Sequence, residues 1–226
     1  MQSPIWTEEL DVEERAGEQG ARDMGAASTA GAAFTAEGAF TAGAAFAPVA
    51  AFTARTAEDI AVRIGRFAHP ATRLLLSADG LTTTLLRAWT GAEVGVLRAA
   101  QRRVPVAETP WGAGELLGAG GGERVVRHSV LGGADGSELS RNVVVARPEL
   151  CPSAERCLAD TSAPLGPMLQ AAGTGYRRSL LDAGLRSWEP CGEPAAYKTY
   201  LLWHGDLPFA VISELFDPAV VPAALR

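Results

Sequence analysis

Two apolar runs joined by two residues constrain this chain more than any other feature. YKTYLLWH (197–204) and LPFAVISELF (207–216) flank Gly205-Asp206. A two-residue loop that starts with glycine is a favoured connection of an antiparallel hairpin, because type I′ and II′ turns match the right-handed twist of the flanking strands. Along LPFAVISELF, successive side chains point to opposite faces. Phe209, Val211, Ser213 and Leu215 share one face, and Ala210, Ile212, Glu214 and Phe216 share the other. Both sets are mostly apolar, so this strand is expected to be covered on both sides.

Further strand signals precede this pair. VGVLRAAQRRV (94–104) is one. ERVVRHSVL (123–131) and SELSRNVVVA (137–146) flank the turn cluster 132–136 and read as a second hairpin. Helical pattern appears before and between them. In TAEDIAVRIGRFA, Thr56 followed by Glu58 and Asp59 suits a helix start, and Ile60, Ile64 and Phe67 form an apolar stripe ended by His69-Pro70. Thr82 or Thr83 is placed to cap a helix running through Trp89. Residues 153–186 read as helical pieces, among them PLGPML and YRRSLLDAGL. Strands grouped as hairpins, with helices set apart, imply an antiparallel α+β sheet and not a doubly wound nucleotide fold.

The first 55 residues are different. Residues 1–20 carry six acidic side chains against Arg15 alone, and 24–55 repeat a unit close to A-F-T-A-x-G. Its phenylalanines stand at 34, 40, 46 and 52, a spacing that matches neither a helix nor a heptad. The expectation is a disordered tail over 1–55 and a folded domain over 56–226. A docking segment that offers phenylalanine anchors to a partner, itself unidentified, is the sharper alternative.

Composition limits the function classes. Apolar residues make up 47% of the 226, enough for a substantial core, and the formal net charge is −6. An acidic chain without a concentrated basic face argues against a nucleic-acid partner. No run approaches the roughly 18 uncharged apolar residues of a membrane helix. The start has no basic-then-apolar leader pattern, so a cytoplasmic location is expected, with Cys151, Cys157 and Cys191 as reduced thiols. The separation of Cys151 and Cys157 matches no common zinc spacing. The glycine-rich run 118–122 lacks the Lys-Ser/Thr pair of a phosphate-binding loop and reads as a loop over the sheet.

Two charged residues stand out in apolar strands. Glu214 loses solvation in its strand, and its pKa should rise unless a cation answers it. With a two-residue loop and regular pairing, Glu214 falls opposite Tyr197, with Thr199 and Leu201 on the same face. The alternative is a strand-end glutamate reaching solvent or a salt bridge. Arg127 shares a face with Val125, Ser129 and Leu131, where a planar guanidinium can grip a carboxylate through two hydrogen bonds. The alternative is a surface arginine with its stem on apolar neighbours. Arg141, beside Leu139, Val143 and Val145, is a weaker candidate.

These segments, in this order, resemble the chorismate pyruvate-lyase family. YLLWHGDLPFAVISELF is similar to that family's closing hairpin, which ends in T/S-E-x-F. Pro164-Leu165-Gly166 matches a Pro-Leu-Gly at the start of its helical section. VRHSVLGGADGSELSRNVVVA resembles its arginine-bearing hairpin, and SADGLTTTLL followed by VGVLRAAQRR resembles the opening of a longer branch. The resemblance covers Arg73 to Pro218. It implies a six-stranded antiparallel sheet with helices on one side and a ligand buried beneath flaps. It implies the elimination of pyruvate from chorismate to give 4-hydroxybenzoate, with no metal or organic cofactor. Glu214 falls on the family's catalytic glutamate and Arg127 on its carboxylate-binding arginine. Gln101 and Arg102 are added here as partners for a second carboxylate, with Leu165, Tyr197 and Thr199 as further substrate contacts. The hairpin departs from some family members in having Ser140-Arg141 for Gly-Arg, and in its spacing by about one residue.

The leading expectation is therefore a cofactor-independent lyase acting on chorismate or a similar cyclic dicarboxylate. The alternative is a non-catalytic small-molecule module of the same fold, like the effector-sensing domains of one class of transcription regulators. An interaction protein working through the phenylalanine repeats is a third.

Overall fold

The computed structural model describes residues 52–226, apart from positions 111, 119, 121 and 190. The acidic start and the repeat up to residue 51 lie outside the described residues. Six strands form one sheet: β1 (Val94–Pro105), β2 (Glu123–Gly133), β3 (Glu138–Ala146), β4 (Arg177–Trp188), β5 (Glu193–His204) and β6 (Leu207–Phe216). Their order is β1-β2-β3-β6-β5-β4, and every pair is antiparallel. The helices are α1 (Ala57–Gly65), α2 (Pro70–Ser77), α3 (Thr82–Thr90), α4 (Ala113–Leu117), α5 (Pro152–Ala159) and α6 (Leu165–Ala171). The expected α+β architecture is observed.

Local rules account for most boundaries. Thr56 caps α1 by accepting from the Asp59 backbone N–H at 3.1 Å, as its sequence position implies. Such a cap contributes about 1 kcal/mol. Pro70 stands at the first position of α2, where a missing N–H costs nothing. α3 begins after Leu81 without a side-chain cap, so the expected capping by Thr82 or Thr83 is corrected. The Thr82 hydroxyl is used elsewhere, as described below.

YRRSLLDAGL also needs correction, because it belongs to strand β4 and not to a helix. Leu181 is an extra residue in the β4–β5 ladder, between the pairs Leu180–Tyr200 and Asp182–Thr199. That bulge breaks the two-residue alternation that would have marked a strand.

The two faces of the sheet carry separate cores. On the near face, Val144, Tyr200, Leu202, Ala210 and Ile212 pack with Leu158 of α5 and Leu169 of α6. The same face continues through Val96, Leu131, Ala196 and Phe216 to Ile60, Ile64, Leu75 and Leu86 of α1–α3. On the far face, Val126, Val145, Leu201 and Val211 meet Ala113 and Leu117 of α4 and the ring of Phe52. Apolar residues thus cover β6 on both sides. Among the described helices, only the short α4 departs from a one-sided arrangement.

Phe52 is the last phenylalanine of the repeat, and it is buried in the far-face core. Its burial stabilises the fold by about 2 kcal/mol. Gly112, at φ 83°, lies so close that a Cβ there would come within 2.0 Å of the Phe52 carbonyl oxygen. Arg55 donates its backbone N–H to Leu181 O at 2.9 Å, so residues 52–55 follow the sheet. Among the described residues, no helix is long and apolar enough to cross a membrane.

Candidate functional site

The site begins with a shift in register. His204 pairs with Leu207 across the expected two-residue loop, and Trp203 pairs with Pro208. The next pair is Leu202 with Ala210, which leaves Phe209 as an extra residue. Pro208 has no N–H to give to the ladder, a usual circumstance at a bulge. A one-residue slip exchanges every side chain between faces. Glu214 therefore stands opposite Lys198, not Tyr197. The expected grouping of Tyr197 and Thr199 with Glu214 is corrected: both lie on the far face.

A polar row results on the near face. Ser129, Asn142, Glu214 and Lys198 are successive partners across β2, β3, β6 and β5. All four are buried. The Thr82 hydroxyl at the start of α3 donates to Glu214 Oε2 at 2.6 Å, and the Tyr200 hydroxyl donates to Oε1 at 3.0 Å. Lys198 Nζ lies 3.7 Å from Oε2. The lysine also donates to Leu75 O at 3.0 Å and Ala78 O at 3.3 Å, where α2 ends. A cation there suits the partial negative charge of a helix C-terminus.

These neighbours act on one another. Burial pushes the Lys198 ammonium pKa down, and the Glu214 carboxylate opposes that shift. Burial drives the Tyr200 phenol well above its usual 10.0, and Glu214 adds to the effect. The carboxylate expected as a proton carrier is thus held from both oxygens.

Arg127 lies on the same face, two strands away and two residues along. Strand spacing and rise put its Cα roughly 12 Å from that of Glu214. The residue is 1% exposed. Its guanidinium donates to Asp160 O at 2.8 Å and Ala163 O at 3.0 Å, in the segment between α5 and α6. Among the described residues, no carboxylate lies within ion-pairing distance of it. Burial lowers its pKa, and the more distant Asp160 charge pushes it back up.

Gln101 is the β1 partner of Arg127. With Arg102, it lines a cleft of about 280 Å³ together with Val125, Leu158 and the ion pair of Arg103 with Glu155 at 2.7 Å. Val125, which lines the cleft, and Arg127, which does not, lie two apart on one face of β2. Leu165 starts α6 and packs on the core under the same cover. A Cβ at Gly166 would come within 2.9 Å of the Leu81 side chain, so the start of α6 lies close over the loop before α3.

Arg141 is excluded from this group. It lies on the far face, its guanidinium stacked 4.4 Å over the Trp188 ring and paired with Glu138 at 2.7 Å. Tyr197 belongs to a far-face knot around Asp182, which is 2% exposed. Asp182 accepts from the Tyr197 hydroxyl at 2.6 Å, from Arg55 Nε at 2.7 Å and from Thr53 Oγ1 at 3.2 Å. Arg63 Nε is 3.5 Å away. Thr199 shares a hydrogen bond with Ser213 beside the knot.

Sequence reasoning passed over Thr82, Asn142, Lys198 and Tyr200 as site residues. Lys198 had a usable signal, since a lysine inside YKTYLLWH is as out of place as Glu214 in its strand. Among the described residues, no cluster of three or more His, Cys, Asp or Glu is placed to hold a metal ion.

No family model matches the chain, and no curated protein does. Solved structures do. PhnF from Mycobacterium smegmatis is 14% identical over 64% of this chain, with a TM-score of 0.41. The match spans 66% of that protein, just under two thirds of its length. The C-terminal domain of the histidine utilization repressor from Pseudomonas syringae pv. tomato is also 14% identical, over 59% of this chain and 96% of that domain, with a TM-score of 0.38. A structure named as the ligand-binding domain of a GntR-family transcriptional regulator from Bordetella bronchiseptica is 17% identical over 56% of this chain and 86% of its own, with a TM-score of 0.35. The expectation of a lyase, and of an enzyme at all, is corrected by these names, which belong to regulators and a ligand-binding domain.

Proposed function

We propose that this chain is a non-catalytic module that binds a small anionic molecule on the near face of its sheet, in the manner of an effector-sensing domain. The observation that carries this reading is Arg127. A buried guanidinium without a carboxylate is costly to keep, because leaving a buried charge unpaired strongly destabilises a protein. Backbone carbonyls of Asp160 and Ala163 occupy its donors, but they bring dipoles and no negative charge. A carboxylate or phosphate would offer the guanidinium two charge-assisted hydrogen bonds. Gln101 at the cleft, and Leu165 under the cover, are the further contacts of this ligand; Arg102, opposite Val126, projects to the other face. Glu214 has a supporting role in the reading: it neutralises Lys198 and ties α3 to the floor through Thr82.

An anion at Arg127 would compete with the carbonyls of the α5–α6 segment. Binding would therefore move the cover of the site, which is how a sensor passes on its occupancy. The test is the thermal midpoint of the full chain against inorganic phosphate, acetate and benzoate. At a hundredfold excess over Kd, a bound anion stabilises by about 2.7 kcal/mol, which for this size is a shift of several degrees. We expect such a rise with at least one of the three, and its loss in Arg127→Met. A rise of equal size in the variant would overturn the assignment.

A further inference from the structure

Two buried oxygens of β3, one on the polar row and one beside it, have no hydrogen-bond partner among the described residues: Asn142 Oδ1 and Ser140 Oγ. They lie two residues apart on β3, and both face the near side. Asn142 is 6% exposed and Ser140 fully buried. Buried polar atoms are nearly always paired, so an unpaired acceptor at the centre of a sheet asks for a donor. The polar neighbours on α3, β5 and β6 do not supply one. Lys198 spends its ammonium on Leu75, Ala78 and Glu214, while Thr82 and Tyr200 give their hydroxyl protons to Glu214.

Asn142 is also close to Arg127. Arg127 pairs with Val144, so Asn142 is its diagonal neighbour across β2 and β3. Such neighbours have their Cα atoms about 7–8 Å apart. One small molecule can reach both. The other unpaired buried atoms, Arg124 Nε and Trp203 Nε1, are donors and do not belong to this row.

We infer that Asn142, with Ser140 behind it, is a specificity-determining contact that accepts a hydrogen bond from a hydroxyl group on the anion bound by Arg127. This inference rests on the anion-binding reading above. It narrows the ligand from any small anion to a hydroxylated one, such as a sugar phosphate or sugar acid. An apolar anion of equal charge and size would leave Asn142 Oδ1 buried and unpaired, and a site built to bond a hydroxyl discriminates against such an analogue.

Calorimetric titration of the full chain with matched pairs tests this. Glucose 6-phosphate is compared with cyclohexylmethyl phosphate, and glucuronate with cyclohexanecarboxylate. We expect the hydroxylated member of at least one pair to bind at least tenfold more tightly, and Asn142→Leu to reduce that ratio at least threefold. The pair that responds tells a phosphate from a carboxylate as the anion. Equal affinities within the pairs, with binding still dependent on Arg127, would overturn the inference and leave the anion site standing; a water resident on Asn142 gives this result. Absence of binding by all four compounds and by inorganic phosphate would overturn both. If Asn142→Leu does not fold, the wild-type ratios decide alone.

Discussion

Arg127 on the near face and Asp182 on the far face are both buried charges, yet their surroundings differ in kind. Asp182 is answered from every side. Two arginines, a tyrosine and a threonine converge on it, and its carboxylate also accepts the Ala183 backbone N–H at 3.0 Å. The knot joins residues 53–55, α1, β4 and β5, and it leaves nothing for a ligand to satisfy. Among the described residues, Arg127 is answered only by two carbonyls from a segment that covers it. A saturated polar cluster holds a fold together, whereas an unsaturated one is a place where something else can bind.

Substitutions should separate the two. Asp182→Leu should have the largest effect, about 4 kcal/mol in denaturant unfolding, because removing one side of a buried ionic cluster strands the other. A loss below about 1 kcal/mol would mean that the solvent-reaching Arg55 and Arg63 screen the knot into irrelevance. Lys198→Met should cost about 3 kcal/mol, since it removes the counter-ion of Glu214 and uncaps α2. The double variant Lys198→Met/Glu214→Gln should recover part of that loss, read as a coupling of at least about 1 kcal/mol in a double-mutant cycle. Strict additivity would show that the 3.7 Å contact is incidental.

Arg127→Met should change stability by only about 1 kcal/mol in either direction, because it relieves a buried charge while freeing two carbonyls. A loss as large as that of Asp182→Leu would erase the contrast between the clusters. The smallest effect concerns pH. The Tyr200 phenol is raised by burial and by Glu214, so the folded state keeps its proton after the unfolded state has begun to lose one. Its contribution is fully present below pH 10 and is lost as pH rises further. Unfolding free energy measured from pH 9 to 11 should therefore fall less steeply in Tyr200→Phe than in the wild type. Lys198 titrates with the opposite sign and is common to both proteins. Parallel slopes would remove Tyr200 from the account.

Much of the fold was legible from particular residues. The Gly205-Asp206 turn, the 132–136 turn and the Thr56 cap mark their elements directly, because each depends on neighbours in the chain. β4 was not legible, because Leu181 interrupts its alternation and pairing with β5 decides its state. The site was half legible. Glu214 and Arg127 were conspicuous as charges in apolar strands, and both lie on the near face. Their companions were misassigned because the bulge at Phe209 moves the β5 partner of Glu214 from Tyr197 to Lys198. Arg141 was misassigned for a different reason: its apolar strand neighbours describe the far-face core as well as they would a ligand site. Phe52 illustrates the limit of local pattern. Nothing in the six-residue spacing of the repeat distinguishes it from Phe46, and only the fit beside Gly112 and α4 shows where it packs.

The central claim is that the unsaturated charge binds and the saturated one does not. Isothermal titration of the anion that gives the largest thermal shift tests it directly, in the wild type, Arg127→Met and Asp182→Asn. One site per chain is expected, weakened at least tenfold in Arg127→Met and retained by folded Asp182→Asn. Undiminished binding in Arg127→Met, or its loss only in Asp182→Asn, would contradict the claim.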